Sequence, residues 1–161
     1  MAYSATERNI FDGGKKLIYS YHSTSDGSNG GTTTIDASGL ATNVNGDACT
    51  YLDINKIWYN ASFTAPADSV EINFDASTDD QAISLSTGQT DFDFSSFGGI
   101  TNPKSGSVTG DINIVFPVAT SGDRISIIIE FNKRYEALSY WLTNNHLKQK
   151  NTSAPLSLGR E

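Results

Sequence analysis

Short segments in which apolar and polar residues alternate recur along this chain and stop at Lys133. The clearest are residues 111–116, with apolar side chains at 112, 114 and 116, and residues 124–133, with apolar side chains at 125, 127, 129 and 131. A period of two is typical of half-buried strands, and the Ser121-Gly122-Asp123 turn between these segments suits a hairpin. Up to Lys133, the sequence therefore predicts short strands joined by turns.

Six further segments carry strand patterning, and turns rich in Gly, Asn, Asp and Ser separate them. They are residues 15–24, 32–36, 49–61, 69–74, 82–86 and 91–94. Segment 49–61 is apolar at both parities, which predicts a central strand covered on both faces. About eight strands in about 118 residues predict an all-β fold, namely an antiparallel β-sandwich or jelly-roll-like domain. The sequence leaves the strand order open.

The chain after the last strand has a different pattern. Tyr135, Leu138 and Leu142 lie at helical spacing with Trp141 on an adjoining stripe, so a short amphipathic C-terminal helix is expected. An isolated helix of this length is marginal in water, and it is expected to pack on its own sandwich or on another chain. The polar residues that follow predict an extended arm that orders when it binds.

Charge divides the chain at the same place. Residues 1–132 carry 6 Lys and Arg against 16 Asp and Glu, whereas residues 133–161 carry 5 against 2. The predicted organisation is an N-terminal arm (1–14), a β-sandwich domain (15–133) and a basic C-terminal helix and arm (134–161). A net charge of −7 argues against binding to nucleic acid or to an anionic membrane.

The C-terminal segment supplies the predicted partner-binding residues. Its apolar stripe would contribute most by burial, and its charges, together with Lys133 and Arg134, would neutralise acidic patches on a neighbouring subunit. The predicted set is Tyr135, Leu138, Trp141, Leu142, Lys148, Lys150 and Arg160.

Carboxylates in two loops make a calcium site conceivable. Asp75, Asp79 and Asp80 lie in one loop, and Asp91 and Asp93 follow a little later. Their spacing matches no EF-hand, so solvated turn carboxylates are the favoured interpretation. We expect no metal and no cofactor.

The possible catalytic residues are few and far apart in sequence. His22 and His146 could act as bases and Cys49 as a nucleophile, but nothing in the sequence brings them together. We expect His22 on a sheet face, Cys49 in the core, and Gly98-Gly99 in a turn where backbone passes close to backbone. The sequence therefore predicts no catalytic residues and no enzyme.

Aromatic residues are abundant in the strand segments and allow two interpretations. They are Tyr19, Tyr21, Tyr51, Trp58, Tyr59, Phe74, Phe92 and Phe94. Sandwich cores use such residues at this alternation, and core packing is the favoured interpretation. The alternative is a stacking platform for a sugar, as in carbohydrate-binding modules.

Five sequence stretches resemble small virion structural proteins of tailed bacteriophages. They are KIWY at 56–59, FDASTDD at 74–80, DFDFSSFGGI at 91–100, TGDINI at 109–114 and GDRISIIIEFNK at 122–133. The resemblance spans residues 15–133 and implies a lone β domain in a phage particle. It does not extend to the 28 residues after Lys133.

Three hypotheses about function follow. The first is a capsid decoration or cement protein that forms a homo-oligomer, for example a trimer, and stabilises contacts between major capsid protein subunits. The second is a neck, collar or tail structural protein at the head–tail junction, and the third is a carbohydrate-binding adhesin module. The N-terminal residues lack an export signal and no segment is apolar enough to span a bilayer, so assembly into a virion in the host bacterial cytoplasm is expected.

Overall fold

The part of the chain that the structure describes is all-β and contains nine strands. The computed structural model describes residues 3–104 and 107–136. Its strands are β1 (Ser4–Asp12), β2 (Lys16–Thr24), β3 (Gly31–Ile35), β4 (Tyr51–Ser62), β5 (Ser69–Phe74), β6 (Asp80–Ser86), β7 (Gly88–Asp93), β8 (Ile112–Phe116) and β9 (Arg124–Arg134). Each of the eight predicted strand segments corresponds to one of β2 to β9, within three residues at either end.

The strands form two antiparallel sheets. The five-stranded sheet has the order β1-β2-β9-β4-β7, and the four-stranded sheet has the order β3-β8-β5-β6. The pairings among β2 to β9 are nested: β2 pairs with β9, β3 with β8, β4 with β7, and β5 with β6. The chain from β2 to β9 thus resembles one long hairpin that turns between β5 and β6. The paired strands of this hairpin are divided between the two sheets.

One hydrophobic core joins the two sheets in a sandwich-like arrangement. The alternating apolar residues of segments 111–116 and 124–133 all point into this core and are buried. They are Ile112, Ile114 and Phe116 from β8 and Ile125, Ile127, Ile129 and Phe131 from β9. Burial of such side chains contributes about 1.5–3 kcal/mol each, so the alternation in these strands is a major source of stability.

Strand β4 changes which parity faces the core. Its pairing with β9 shifts register between Ile54 and Lys56, so Leu52 and Ile54 are buried before this bulge and Ile57 after it. The prediction that the strand is covered on both faces holds for its first half, where the backbone N–H of Asn102 donates to Asp53. It is wrong for the second half, because the bulge turns the Trp58 parity outward.

Strand β1 lies in the segment predicted as an N-terminal arm, and it pairs with β2 at the edge of the five-stranded sheet. Nearly all of its residues are exposed. Its register shifts between Asn9 and Phe11, a bulge of the kind that protects free sheet edges against unwanted pairing. Tyr19 anchors the strand by donating a hydrogen bond from its hydroxyl to Glu7.

The last described residues are fixed to the fold. We call Lys133, Arg134 and Tyr135 the arm root. The Lys133 ammonium pairs with Asp12, Arg134 Nε lies 2.5 Å from the Asp53 carboxylate, and the Tyr135 hydroxyl donates to the Gly14 carbonyl. The contacts to the β domain therefore continue to the end of the described residues, where the backbone N–H of Glu136 donates to Thr50 Oγ1 at 3.2 Å, and residues 137–161 of the predicted C-terminal helix and arm lie outside the described residues.

Candidate functional site

The outward side of the five-stranded sheet carries two parallel rows of side chains, which together we call the outer face. Cross-strand pairing aligns one residue from each of β2, β9, β4 and β7 in each row. The Trp58 row consists of Ser20, Ile128, Trp58 and Asp91. The amide row consists of His22, Ser126, Asn60 and Gln89. The rows border an open depression with a volume of about 560 Å³.

The centre of the Trp58 row is apolar and accessible. Trp58 is 41% exposed and Ile128 is 39% exposed, and the two residues are direct cross-strand partners. The β4 bulge causes this exposure, since without it the Trp58 parity would match that of buried Leu52 and Ile54. Exposed aromatic and aliphatic side chains in contact on a sheet surface offer a flat apolar area to a ligand.

The amide row is rich in hydrogen-bonding groups. His22 Nδ1 lies 2.8 Å from Ser126 Oγ, and this contact restrains the imidazole ring. The side-chain amides of Asn60 and Gln89 make no hydrogen bond to other described residues and are exposed. Each amide can donate and accept at the same time, so the row can satisfy a ligand that carries both kinds of group.

Ion pairs border the outer face on the side of the arm root. Lys16 Nζ lies 2.8 Å from Glu130, and Lys56 Nζ lies 3.4 Å from Asp93. Burial would raise the pKa of Glu130, but hydrogen bonds from Lys16 and Asn55 outweigh it and lower the pKa. These charges are matched locally, so the border adds little net charge to the depression.

The predicted partner-binding residues are only partly located. Tyr135 is in no helix, and its ring packs against the core of its own chain. Leu138, Trp141, Leu142, Lys148, Lys150 and Arg160 lie outside the described residues. Lys133 and Arg134, expected to face a neighbouring subunit, instead pair with Asp12 and Asp53.

The loop carboxylates are placed on different sheets. Asp75 and Asp79 both accept hydrogen bonds from the Asn113 amide beside β5 and β8, whereas Asp91 and Asp93 lie on β7 of the other sheet. In the ranges 3–104 and 107–136, no three or more His, Cys, Asp or Glu side chains converge as metal ligands. Asp75 and Asp79 therefore belong to a polar network that links strands.

The residues considered for catalysis are also separated. His22 lies exposed on a sheet face and Cys49 lies in the core, as the sequence predicted, and burial raises the pKa of the Cys49 thiol. His146 is outside the described residues. Gly99 has φ +93°, and a Cβ there would lie 2.7 Å from the Ile54 carbonyl oxygen, which confirms the predicted close backbone approach.

The aromatic residues divide between core and surface. Tyr19, Tyr21 and Phe74 are buried in the core. Tyr59, Phe92 and Phe94 pack against that core and stack in sequence, with ring centroids 6.2 and 5.8 Å apart. Tyr51 is half-buried at the start of β4, with Lys104 Nζ 5.4 Å from its ring centroid. Trp58 is the exposed member of the predicted aromatic set.

Sequence reasoning missed most of the outer face. Ser20, Asn60, Gln89, Ser126 and Ile128 were not singled out, because their alignment depends on strand order and register. One signal was present: the run Ile127-Ile128-Ile129 places an isoleucine at the parity opposite to the buried one. This isoleucine on the otherwise polar side of the strand was the sequence signal for an apolar position on the outer face.

No family model matches the chain, and comparisons with curated proteins and with solved structures returned no match. Within the described ranges, no helix has the length and hydrophobicity required to cross a membrane. A functional proposal therefore depends on the fold, the outer face, the arm root and the sequence resemblance.

Proposed function

We propose that the fold is a jelly roll and that the protein is a non-enzymatic virion structural protein of a tailed bacteriophage, acting as a capsid decoration or cement protein. The observation that carries the proposal is the nested pairing of β2 to β9. Eight strands in two four-stranded antiparallel sheets, paired first with last, are the arrangement of jelly rolls, with β1 added at one edge.

Jelly rolls are used by viral capsid proteins and by lectins, among others, so the fold by itself does not select a role. The resemblance of residues 15–133 to phage virion proteins favours the first class. The proposed partners are the major capsid protein or other virion subunits, with homo-oligomerisation, for example as a trimer.

The arm root supports attachment through the C-terminal segment. A segment that attaches the β domain to a capsid subunit transmits force to the residue at which the segment leaves the domain. Here Lys133 and Tyr135 are tied to the end of β1 and the connection that follows it, through Asp12 and Gly14, and Arg134 is tied to β4 through Asp53. A partner that binds residues 137–161 would therefore be coupled to one edge of the five-stranded sheet and to its strand β4, and not to a loose chain terminus.

Removal of residues 137–161 tests the attachment. The cut must follow Glu136, because a cut at Lys133 would remove core contacts of the arm root. We expect the truncated protein to keep its thermal transition and to lose co-sedimentation with particles of the source phage that lack the protein. A truncated protein that decorates these particles normally would refute the role of the arm.

Point substitutions in the same co-sedimentation assay distinguish the contribution of apolar burial to attachment from the contribution of charge. Trp141→Ala should weaken attachment more than Lys148→Ala, since burial of a large apolar side chain contributes about 1.5–3 kcal/mol and an exposed charge contributes about 0–1 kcal/mol. A complex that is weakened by salt and indifferent to Trp141→Ala would contradict this order.

Cryo-electron microscopy of the particle tests the location. Hundreds of copies on the capsid surface are expected of a decoration protein. About a dozen copies or fewer at the head–tail junction would replace this proposal with the neck, collar or tail alternative.

A further inference from the structure

The outer face combines an exposed indole with a row of hydrogen-bonding side chains, and nothing in the role of a capsid protein requires that combination. We propose that the outer face is a binding site for an uncharged glycan, with Trp58 as the stacking residue. This inference does not depend on the virion role, since a site on the sheet surface and an arm beyond Glu136 can operate separately.

The apolar part of the site suits the apolar side of a sugar ring. A pyranose presents C–H groups on one face and hydroxyl groups around its edge. Trp58 and its cross-strand neighbour Ile128 form a continuous apolar area that a ring can cover. Tryptophan provides a large, rigid contact surface at a low cost in side-chain entropy, which is favourable for such stacking.

The amide row lies where the hydroxyl groups of a stacked sugar would point. Asn60 is two residues from Trp58 on β4, on the same side of the sheet, and it is paired with Ser126 and Gln89 on the neighbouring strands. Sugar hydroxyls donate and accept hydrogen bonds, and side-chain amides do both. Asp91, at the end of the Trp58 row, adds an acceptor for a further hydroxyl.

Charge selects the class of glycan. The eight residues of the two rows include one carboxylate, Asp91, and no Lys or Arg. The bordering Lys16 and Lys56 are already paired with Glu130 and Asp93. Beyond the amide row, the exposed Arg124 on β9 lies on the same side of the sheet and makes no ion pair with another described residue. It is four residues along the strand from Ile128, about 13 Å from the Trp58 row. A sulfated, phosphorylated or sialylated sugar stacked on Trp58 would therefore meet the Asp91 carboxylate before any cation, so an uncharged glycan is favoured.

The dimensions of the outer face fit a short oligosaccharide. Four adjacent strands span about 14 Å, and two rows separated by two residues along a strand are about 7 Å apart. The depression volume of about 560 Å³ is within the range of small-molecule sites. A di- or trisaccharide lying across the strands would cover Trp58 and reach the amide row.

The test uses the full-length protein on an array of uncharged and anionic glycans, followed by calorimetric titration with maltose, cellobiose, lactose and diacetylchitobiose. We expect binding to at least one uncharged glycan. Trp58→Ala should weaken it at least about tenfold, and Asn60→Ala and Gln89→Ala should weaken it several-fold. Phe97→Ala is the matched control, because Phe97 is a 68% exposed aromatic residue on the loop after β7 and outside both rows.

Several results would overturn the proposal. They are no binding to any uncharged glycan at millimolar concentration, binding restricted to anionic glycans, and binding that Trp58→Ala leaves intact. Dissociation of an oligomer by Trp58→Ala in sedimentation velocity would identify the outer face as a protein interface instead. If Trp58→Ala does not fold, the exposed polar variants Asn60→Ala and Gln89→Ala decide the outcome in its place.

Discussion

Replacement of Lys133 by methionine should destabilise the protein strongly, although the residue stands at the start of what the sequence presents as a basic arm. The Lys133 side chain is 0% exposed and its ammonium pairs with Asp12, which is 22% exposed. The ammonium also donates to the Ala41 carbonyl oxygen at 2.9 Å. Methionine fills a similar volume but removes the charge, so the variant leaves the Asp12 carboxylate without its counter-ion.

The magnitude follows from how much of the pair is shielded from water. Removal of one partner of a fully buried ion pair costs about 3–5 kcal/mol. Asp12 is partly solvated and keeps a hydrogen bond from the Ala41 backbone N–H at 2.9 Å, which lowers the cost. We therefore expect Lys133→Met to lower the free energy of unfolding by about 2–3 kcal/mol. For a chain of this size the transition temperature would fall by roughly 4–12 °C.

Lys16→Met is the matched control. Lys16 lies on the neighbouring strand β2, also pairs with a carboxylate, and is 48% exposed. Its loss should cost about 0–1 kcal/mol, as for other surface ion pairs. Urea unfolding of both variants provides the comparison, and the double variant with Asp12→Asn measures the coupling within the buried pair.

Equal stability of Lys133→Met and Lys16→Met, within about 0.5 kcal/mol, would refute the reasoning that burial distinguishes the two ion pairs. A changed urea m-value would instead indicate that the substitution altered the unfolded or native ensemble, and the comparison would then rest on the coupling energy from the double variant.

Three further predictions concern other parts of the fold. Gly110→Ala should lower the free energy of unfolding in urea by about 3–5 kcal/mol, since its Cβ would lie 1.9 Å from the Thr50 carbonyl oxygen. Gly122 has a similar φ but open space around it, so Gly122→Ala should lower the same free energy by only about 1–2 kcal/mol. Equal losses would contradict the close approach at Gly110. Cys49 should react with Ellman's reagent only after unfolding, because burial shields the thiol and raises its pKa; rapid reaction of the native protein would contradict this placement. Burial raises the pKa of Asp111, and two nearby aspartates add to this effect. Ionisation of Asp111 therefore opposes folding above about pH 4. Asp111→Asn should reduce the loss of stability between about pH 4 and 7 in pH-dependent unfolding, and an unchanged pH dependence would contradict this prediction.

The strands that bury a face could be predicted from the sequence, and the strand that buries none could not. Strand β9 alternates between buried and more exposed residues because one side of it lies in the core, and on β8 the apolar residues 112, 114 and 116 mark the core side. Strand β1 is exposed on both sides and is attached through backbone hydrogen bonds to β2. Backbone pairing leaves no periodic signal in the side chains, so this segment looked like an arm.

The outer face could not be predicted because it depends on register. Trp58 was recognised as a possible stacking residue, but its orientation is decided by the bulge between Ile54 and Lys56. Its partners come from β2, β7 and β9, which are distant in sequence. A shift of one residue in any of these pairings would replace an exposed polar side chain by a core residue, so the site exists only in the native register.

The charge contrast at Lys133 is smaller on the protein surface than in the sequence. Two of the five basic residues beyond residue 132 are Lys133 and Arg134, and both are neutralised by aspartates of the same domain. Residues 137–161 keep three basic side chains and one acidic side chain. A net charge of +2 on 25 residues can steer encounter with an acidic partner, but it supplies little affinity at physiological ionic strength. The proposed attachment through this segment would then depend mainly on its apolar residues, and we expect it to weaken only modestly as salt is raised.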